Sequence, residues 1–176
     1  MNKNIILVGF MGTGKTTVGR RVSGKLNMDF YDTDEYIKKC ENMPVADVLT
    51  KKGKKYFEGA QRFAVQNICE NENALVATGG GTLMDDKCRD IIFTNGITVW
   101  LRAKPETICE NLKNSHTKRA ELSGKSLEEI VDIINEYETE YQKSDIIIDV
   151  DENTHRDIDA VVDKVVAEIK AYTKEK

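Results

Sequence analysis

The chain has 176 residues, of which 40% are hydrophobic and 32% charged, and its formal net charge is −4. This length fits one domain with its own core, and the composition excludes an intrinsically disordered chain. The charge balance offers no basic field for a nucleic-acid backbone, and no apolar run approaches the ~20 residues of a membrane span. The N-terminal apolar run, Ile5–Val8, is too short for a signal peptide. We therefore expect a cytoplasmic protein without nucleic-acid or membrane partners, and a monomer, with an oligomer left open.

Short apolar runs alternate with longer segments of helical period. The first run is continuous, as in a strand covered on both faces, and Val18, Val22 and Leu26 recur at the spacing of one helix face. The predicted strands are Asn4–Val8, Met28–Tyr31, Leu75–Thr78, Ile97–Leu101 and Asp145–Asp149. The predicted helices are Thr16–Leu26, a segment from Glu35 to Asn71 with breaks near 42–44 and 53, Met84–Phe93, Pro105–Lys113, Leu127–Gln142 and Asp157–Tyr172.

Strands separated by helices predict an α/β fold of three layers, with a five-stranded parallel sheet and helices on both faces. We expect residues 1–176 to form a single domain. Residues 114–125 have no steady period and are mostly polar, so we expect a mobile lid there. Ligands in such folds bind outside the carboxyl ends of the strands, and the polar clusters 9–17, 32–35 and 79–81 each follow a predicted strand. These clusters should therefore meet at one edge of the sheet.

The cysteines are far apart in sequence, with no CxxC pair and no histidine at metal-ligand spacing. We expect four reduced thiols on helices or near the core. They are Cys40, Cys69, Cys88 and Cys109.

Residues 9–16 read Gly-Phe-Met-Gly-Thr-Gly-Lys-Thr and match the phosphate-loop pattern G-x-x-x-x-G-K-[ST] in full. In such a loop the backbone N–H groups wrap phosphate oxygens, Lys15 bridges the outer phosphates and the Thr16 hydroxyl ligates Mg²⁺. A chance glycine-rich turn is the alternative, but the loop follows a predicted strand and opens a predicted helix. We predict ATP and Mg²⁺ as cofactors. The predicted nucleotide-binding residues here are Gly12, Thr13, Gly14, Lys15, Thr16 and Thr17.

Four segments in this order resemble the shikimate kinase family, a branch of the P-loop proteins with a nucleoside monophosphate kinase-like fold. The resemblance covers nearly the whole chain, and it implies transfer of the ATP γ-phosphoryl group to the 3-hydroxyl of shikimate with Mg²⁺. The fourth segment is a looser version of the family's Arg-Pro-Leu-Leu. The segments are Gly9-Phe-Met-Gly-Thr-Gly-Lys-Thr-Thr-Val-Gly19, Asp32-Thr-Asp34, Ala77-Thr-Gly-Gly-Gly81 and Arg119-Ala-Glu-Leu122.

The resemblance implies roles for further residues. Asp32 would hold the metal through water, and Asp34 would bind the acceptor hydroxyls and accept a proton. Arg119 would reach from the lid onto the nucleotide phosphates, and Lys113 would lie near the adenine. From the residues alone, the acidic run could be a plain helix start and Arg119 a solvated loop charge. The implied catalytic residues are Lys15, Asp34 and Arg119.

The acceptor side departs from the family pattern. A family segment Gly-Glu-x-x-Phe-Arg-x-x-Glu supplies an arginine for the shikimate carboxylate, and here Glu58 stands at the arginine and Gln61 at the last glutamate. A second such arginine precedes the family's Pro-Leu-Tyr, and aligning on Tyr141 places Tyr137 there. Arg62, one helical turn after Glu58, could replace a lost guanidinium or simply pair with Glu58. We assign the acceptor to helical segment 33–61 and these substrate-binding residues: Asp34, Glu58, Arg62, Gly79, Gly80, Gly81 and Tyr137.

The acceptor is therefore the open question. A glutamate repels an anion, so an acceptor without a carboxylate, or with an amino group, fits Glu58 better than shikimate does. We expect weak or no activity on shikimate unless Arg62 and Lys54 or Lys55 compensate, although the whole-chain resemblance keeps shikimate as the leading acceptor. The alternatives are a gluconate, nucleoside or nucleotide kinase-like enzyme, and a nucleotide-binding regulatory protein without transfer.

Overall fold

In the computed structural model, residues 3–114, 122–150 and 157–174 are described. Within these ranges the chain forms five β-strands and eight α-helices, with a 3₁₀ turn at Thr82–Met84. The strands are β1 (Asn4–Val8), β2 (Asp29–Asp32), β3 (Ala74–Ala77), β4 (Gly96–Arg102) and β5 (Ile146–Asp149). The helices are α1 (Lys15–Leu26), α2 (Thr33–Glu41), α3 (Val45–Lys52), α4 (Lys54–Cys69), α5 (Asp86–Asn95), α6 (Pro105–Lys113), α7 (Leu127–Tyr141) and α8 (Ile158–Lys174).

The five strands form one parallel sheet in the order β2-β3-β1-β4-β5. Every residue of the central strand β1 is buried. Both faces of this strand must therefore be covered, as in parallel sheets generally. Helix α1 packs against α8, and α4 packs against α5. The predicted fold class, a parallel five-stranded sheet layered with helices, is confirmed.

The long helical segment divides where the sequence predicts breaks. Helix α2 ends at Asn42, whose φ of 51° lies in the left-handed region that asparagine tolerates. Pro44 precedes the first residue of α3, and Gly53, with a φ of 86°, separates α3 from α4. A small buried cluster joins these three helices, formed by Ile37, Val48, Phe57 and Ala64.

The predicted start of α5 is wrong. We expected a helix from Met84, but Met84 ends the 3₁₀ turn and α5 begins at Asp86. The carboxylate of Asp85 accepts hydrogen bonds from the N–H groups of Lys87 and Cys88, at 3.1 and 3.0 Å. Asp85 is thus the N-cap that fixes the start of α5.

All four cysteines lie in helices, and none forms a disulfide. Cys40 is exposed, whereas the other three are buried. Burial raises the pKa of the Cys69 thiol to about 11 and, together with the nearby Asp85 carboxylate, that of Cys88 to about 12. The prediction of thiols on helices or near the core is confirmed.

No helix within residues 3–114, 122–150 and 157–174 combines the length and apolar character that a bilayer crossing requires. The predicted lid, 114–125, lies mostly outside the described residues. Its described end, 122–125, leads into α7, which begins with a capping box between Ser126 and Glu129. The mobility of the lid stays a prediction, as does the division into domain, lid and acceptor segment.

Candidate active site

The loop between β1 and α1 carries the predicted phosphate site. Gly12 and Gly14 have φ of 84° and 86°, in the left-handed region where a side chain is strained. Lys15 is buried, and its ammonium group donates hydrogen bonds to the carbonyls of Gly9 and Phe10, at 2.7 and 2.8 Å. Thr13 is buried and its hydroxyl bonds the Phe10 carbonyl. The lysine side chain therefore lies along the inside of the loop.

Helix α6 also supports this loop. The side-chain amide of Asn111 donates to the carbonyl of Gly12 at 2.8 Å, and a Cβ built on Gly12 would lie 3.4 Å from the Leu112 side chain. No local sequence pattern points to Asn111, because the contact joins residues 99 positions apart. Lys113, the last residue of α6, is exposed close to this contact. Its role near the adenine stays a prediction, and Arg119 lies outside the described residues.

Thr16 and Asp32, the two predicted metal residues, meet at the carboxyl edge of the sheet. The Thr16 hydroxyl donates to Asp32 Oδ2 at 2.7 Å. Asp32 Oδ1 accepts from the N–H groups of Asp34 and Glu35, at 2.9 and 3.1 Å, and so caps α2. The acidic run is thus a helix start, and one of its carboxylates also faces the phosphate loop. Thr17 is exposed in the first turn of α1.

The donor set at Thr16 and Asp32 suits magnesium. Mg²⁺ prefers oxygen ligands and is usually held by one or two carboxylates together with water and substrate phosphates. A hydroxyl and a carboxylate beside a phosphate loop match this preference. The described residues contain no group of three or more His, Cys, Asp or Glu that could hold a metal by themselves.

Residues 79–81, which we call the glycine segment, lie between the phosphate loop and Asp34. A Cβ built on Gly79 would lie 2.6 Å from Asp34 Oδ1, and one built on Gly80 would lie 2.6 Å from the backbone nitrogen of Met11. Real Cβ atoms do not approach so closely, so the two neighbours can be this near only because both residues are glycine. The Gly79 N–H also donates to the Thr33 hydroxyl at 2.9 Å.

Two tyrosines of α7 complete this edge. A Cβ built on Gly81 would lie 3.7 Å from the Tyr137 hydroxyl, and the Tyr137 ring packs edge-on against Phe10 with centroids 5.5 Å apart. The Tyr141 hydroxyl donates to the Gly80 carbonyl. The structure therefore places both Tyr137 and Tyr141 beside the glycine segment. The role of Tyr137 in binding the acceptor stays a prediction.

The main partner of the Arg62 guanidinium lies outside α4. Arg62 donates to Asp85 Oδ2 through Nε at 2.8 Å and through an Nη at 2.5 Å, whereas it is 4.0 Å from Glu58. This guanidinium holds the pKa of the Asp85 carboxyl below its usual range. The Glu58–Arg62 pair, one of the two alternatives for Arg62, is therefore the weaker contact, and Asp85 is the main partner of Arg62.

The two lysines of this helix point to different places. Lys54 Nζ is 3.9 Å from a Glu58 carboxylate oxygen, with most of the Lys54 side chain exposed. Lys55 lines an outer cavity of ≈ 470 Å³ between α2 and α4, together with Tyr36, Tyr56 and Phe63. Gln61, which stands at the family's last glutamate, donates a hydrogen bond to the Thr82 hydroxyl at 3.1 Å. Of the cations that could offset Glu58, only Lys54 and Arg62 lie near it among the described residues.

The sheet, the glycine loop and the lysine inside it define a phosphotransferase of the P-loop class. The sequence model of the Shikimate kinase family matches residues 11–170. The chain belongs to the shikimate kinase family, and it is a phosphotransferase with an alcohol group as acceptor.

Relatives and solved structures agree with this assignment. The chain is 36% identical to a shikimate kinase of Caldanaerobacter subterraneus subsp. tengcongensis, over 98% of this chain and 97% of the relative. It is 36% identical to one of Thermoanaerobacter pseudethanolicus, over 97% and 96%. A structure of the Acinetobacter baumannii shikimate kinase in complex with shikimate superimposes with a TM-score of 0.86 at 26% identity, covering 97% of this chain and 94% of that one.

Proposed function

We propose that the protein transfers the γ-phosphoryl group of ATP to the 3-hydroxyl of shikimate, as a monomer in the cytoplasm. The observation that carries the proposal is the glycine segment, which touches the phosphate loop through Gly80 and Asp34 through Gly79. A phosphate donor and an acceptor hydroxyl would thus meet beside one short backbone segment. Relatives at 36% identity carry the name shikimate kinase, and the Acinetobacter structure contains shikimate.

The nucleotide would be held by the loop from Gly9 to Thr16. Its backbone N–H groups and the N-terminus of α1 favour phosphate oxygens. The ammonium of Lys15, which lies along the loop carbonyls at 2.7 and 2.8 Å, would exchange these partners for the outer phosphates. Mg²⁺ bound near Thr16 and Asp32 would neutralise phosphate charge. Arg119 and Lys113 would add contacts to phosphate and adenine.

The acceptor would be oriented by Asp34 and the glycine segment. In the reaction the 3-hydroxyl oxygen bonds to the γ-phosphorus, the bond from phosphorus to the bridging oxygen breaks, and ADP leaves. The hydroxyl proton passes to the Asp34 carboxylate, which lies half-buried beside Gly79. Because phosphoryl transfer needs mainly positioning and charge stabilisation, these residues supply what the chemistry requires.

A second candidate is a kinase for a hydroxylated acceptor without a carboxylate. Glu58 is half-buried on α4, and the Arg62 guanidinium is bonded to Asp85. Lys55 lines the outer cavity, and the ion pairs of Glu58 are with Lys54 at 3.9 Å and Arg62 at 4.0 Å. This charge arrangement favours a neutral or amino-bearing acceptor over an anion.

An ADP-release assay with one acceptor at a time separates the two candidates. We expect shikimate-dependent ADP formation and a product carrying phosphate on the 3-hydroxyl, identified by ³¹P NMR. Faster turnover of a nucleoside or an amino-bearing alcohol than of shikimate would favour the second candidate. ATP binding without ADP release on any alcohol would refute both.

A further inference from the structure

The Tyr141 side chain is held in one place by three elements. It is 2% exposed, and its ring packs against Trp100 of β4 and Tyr137 of α7, with centroids 5.8 and 6.5 Å apart. Its hydroxyl reaches the Gly80 carbonyl. Removing this hydroxyl alone would leave the ring packing in place, so the hydrogen bond can be tested apart from the core.

The Gly80 carbonyl belongs to the peptide unit that also contains the Gly81 N–H. A trans peptide is planar, and its C=O and N–H groups point in opposite directions. A hydroxyl that fixes the Gly80 carbonyl therefore also fixes the direction of the Gly81 N–H, which points away from Tyr141. Without this bond, a Gly-Gly peptide can rotate with little steric resistance.

The same peptide sits where the two substrates would meet. Gly80 lies close to the Met11 nitrogen of the phosphate loop, and Gly79 lies close to the Asp34 carboxylate. The Thr33 hydroxyl holds the Gly79 N–H, and the local bonds from Thr82 N–H to Gly79 and from Met84 N–H to Gly81 shape the turn that follows. The Tyr141 hydroxyl connects the glycine segment to a distant helix, α7, which follows the lid segment in the chain.

We propose that Tyr141 is a positioning residue, whose hydroxyl orients the Gly81 N–H toward the acceptor and so holds the acceptor in place beside the phosphate loop. This inference rests on the proposed function, because it requires the glycine segment to bind the acceptor. Tyr141 acts through Gly80 and does not itself touch the reacting atoms. The acceptor's kinetics should therefore depend on this hydroxyl more than the nucleotide's kinetics do.

The test is Tyr141→Phe, with Tyr172→Phe as the matched control. Tyr172 on α8 also hydrogen-bonds through its hydroxyl, to the Asp145 carboxylate, away from the site. For Tyr141→Phe we expect kcat/KM for the acceptor to fall about tenfold, the equivalent of one lost hydrogen bond, with KM for ATP within about twofold. Amide hydrogen exchange in residues 79–84 should accelerate in Tyr141→Phe only.

The outcomes distinguish a failure of the inference from a failure of the proposed function. Acceptor kinetics and exchange equal to those of Tyr172→Phe would overturn the inference, and so would an equal loss for ATP and acceptor, which indicates general destabilisation. A wild-type protein without turnover on any acceptor would refute the proposed function instead. In that case amide hydrogen exchange still tests whether Tyr141 restrains the glycine segment. Unchanged exchange in Tyr141→Phe would show that it does not.

Discussion

The two halves of the site are built from different parts of the chain. The nucleotide half consists of backbone groups and one lysine within residues 9–16, next to a hydroxyl and a carboxylate 2.7 Å apart. The proposed acceptor half depends on side chains from α2, α4 and α7, and the charged Glu58 and Arg62 pair with each other or with Asp85. Backbone recognition tolerates few substitutions, whereas charged side chains can be exchanged without disturbing the fold. A family can therefore keep its chemistry while its acceptor pocket changes.

The largest effect should come from the nucleotide half. Replacing Lys15 by Ala removes the cation that offsets phosphate charge, so we expect kcat/KM to fall by about 10³ or more. Lys25→Ala on the same helix is the control, because Lys25 pairs with Asp163 on the surface. ATP titration and steady-state kinetics measure both. Unchanged ATP binding and turnover in Lys15→Ala would contradict the assignment of the loop.

Asp34→Asn should have the next largest effect, on the chemical step. The carboxylate beside Gly79 would no longer accept the hydroxyl proton, so we expect kcat to fall about 100-fold, with ATP affinity within about twofold. Asp29→Asn, at an exposed position of β2, is the matched control. A kcat close to that of the control would exclude Asp34 as the base.

The third prediction addresses the acceptor half directly. Glu58→Arg exchanges a repelling charge for a guanidinium, so kcat/KM for shikimate should rise about tenfold. Gln66→Arg, two turns further along α4 and exposed, adds a similar cation elsewhere. Equal effects of the two substitutions would mean that Glu58 does not face the acceptor. A fall in kcat/KM for shikimate in Glu58→Arg would indicate that the acceptor is bound by the Glu58 carboxylate.

The smallest effect concerns Arg62 and its partner. Asp85→Asn keeps a side chain suited to the N-cap of α5 but removes the charge that holds Arg62. If Arg62 can then turn toward the acceptor, KM for shikimate should fall about threefold, as expected for one partly exposed ion pair. An unchanged KM would exclude Arg62 as a compensating cation.

The same substitution has a pH signature. Because Arg62 lowers the Asp85 pKa in the folded protein, the pair stabilises the fold above the unfolded-state pKa of about 3.9. This contribution is lost as the pH falls through the lower, folded-state pKa. Thermal unfolding of the wild type and Asp85→Asn should therefore differ near pH 6 and converge as the pH falls below the lowered pKa of Asp85. A constant difference across this range would show that the pair does not titrate with folding.

The sequence was sufficient where the determinants are local. The five strands, the breaks near 42–44 and 53, and the loop at 9–16 follow from apolar runs, turn residues and a contiguous motif. The contacts of Asn111 with Gly12, Tyr141 with Gly80 and Arg62 with Asp85 join distant segments, so no local pattern announces them. Asp85 alone left a usable signal, since an aspartate near the start of a predicted helix is a candidate N-cap.

The contrast between the two halves can be measured in one experiment, by determining KM for ATP and for shikimate with the wild-type protein and Mg²⁺. We predict a KM for ATP within the ordinary range and a KM for shikimate above about 1 mM, the upper end of typical values. Saturation by micromolar shikimate at an ordinary kcat of ~1–100 s⁻¹ would contradict our interpretation of Glu58 and Tyr137.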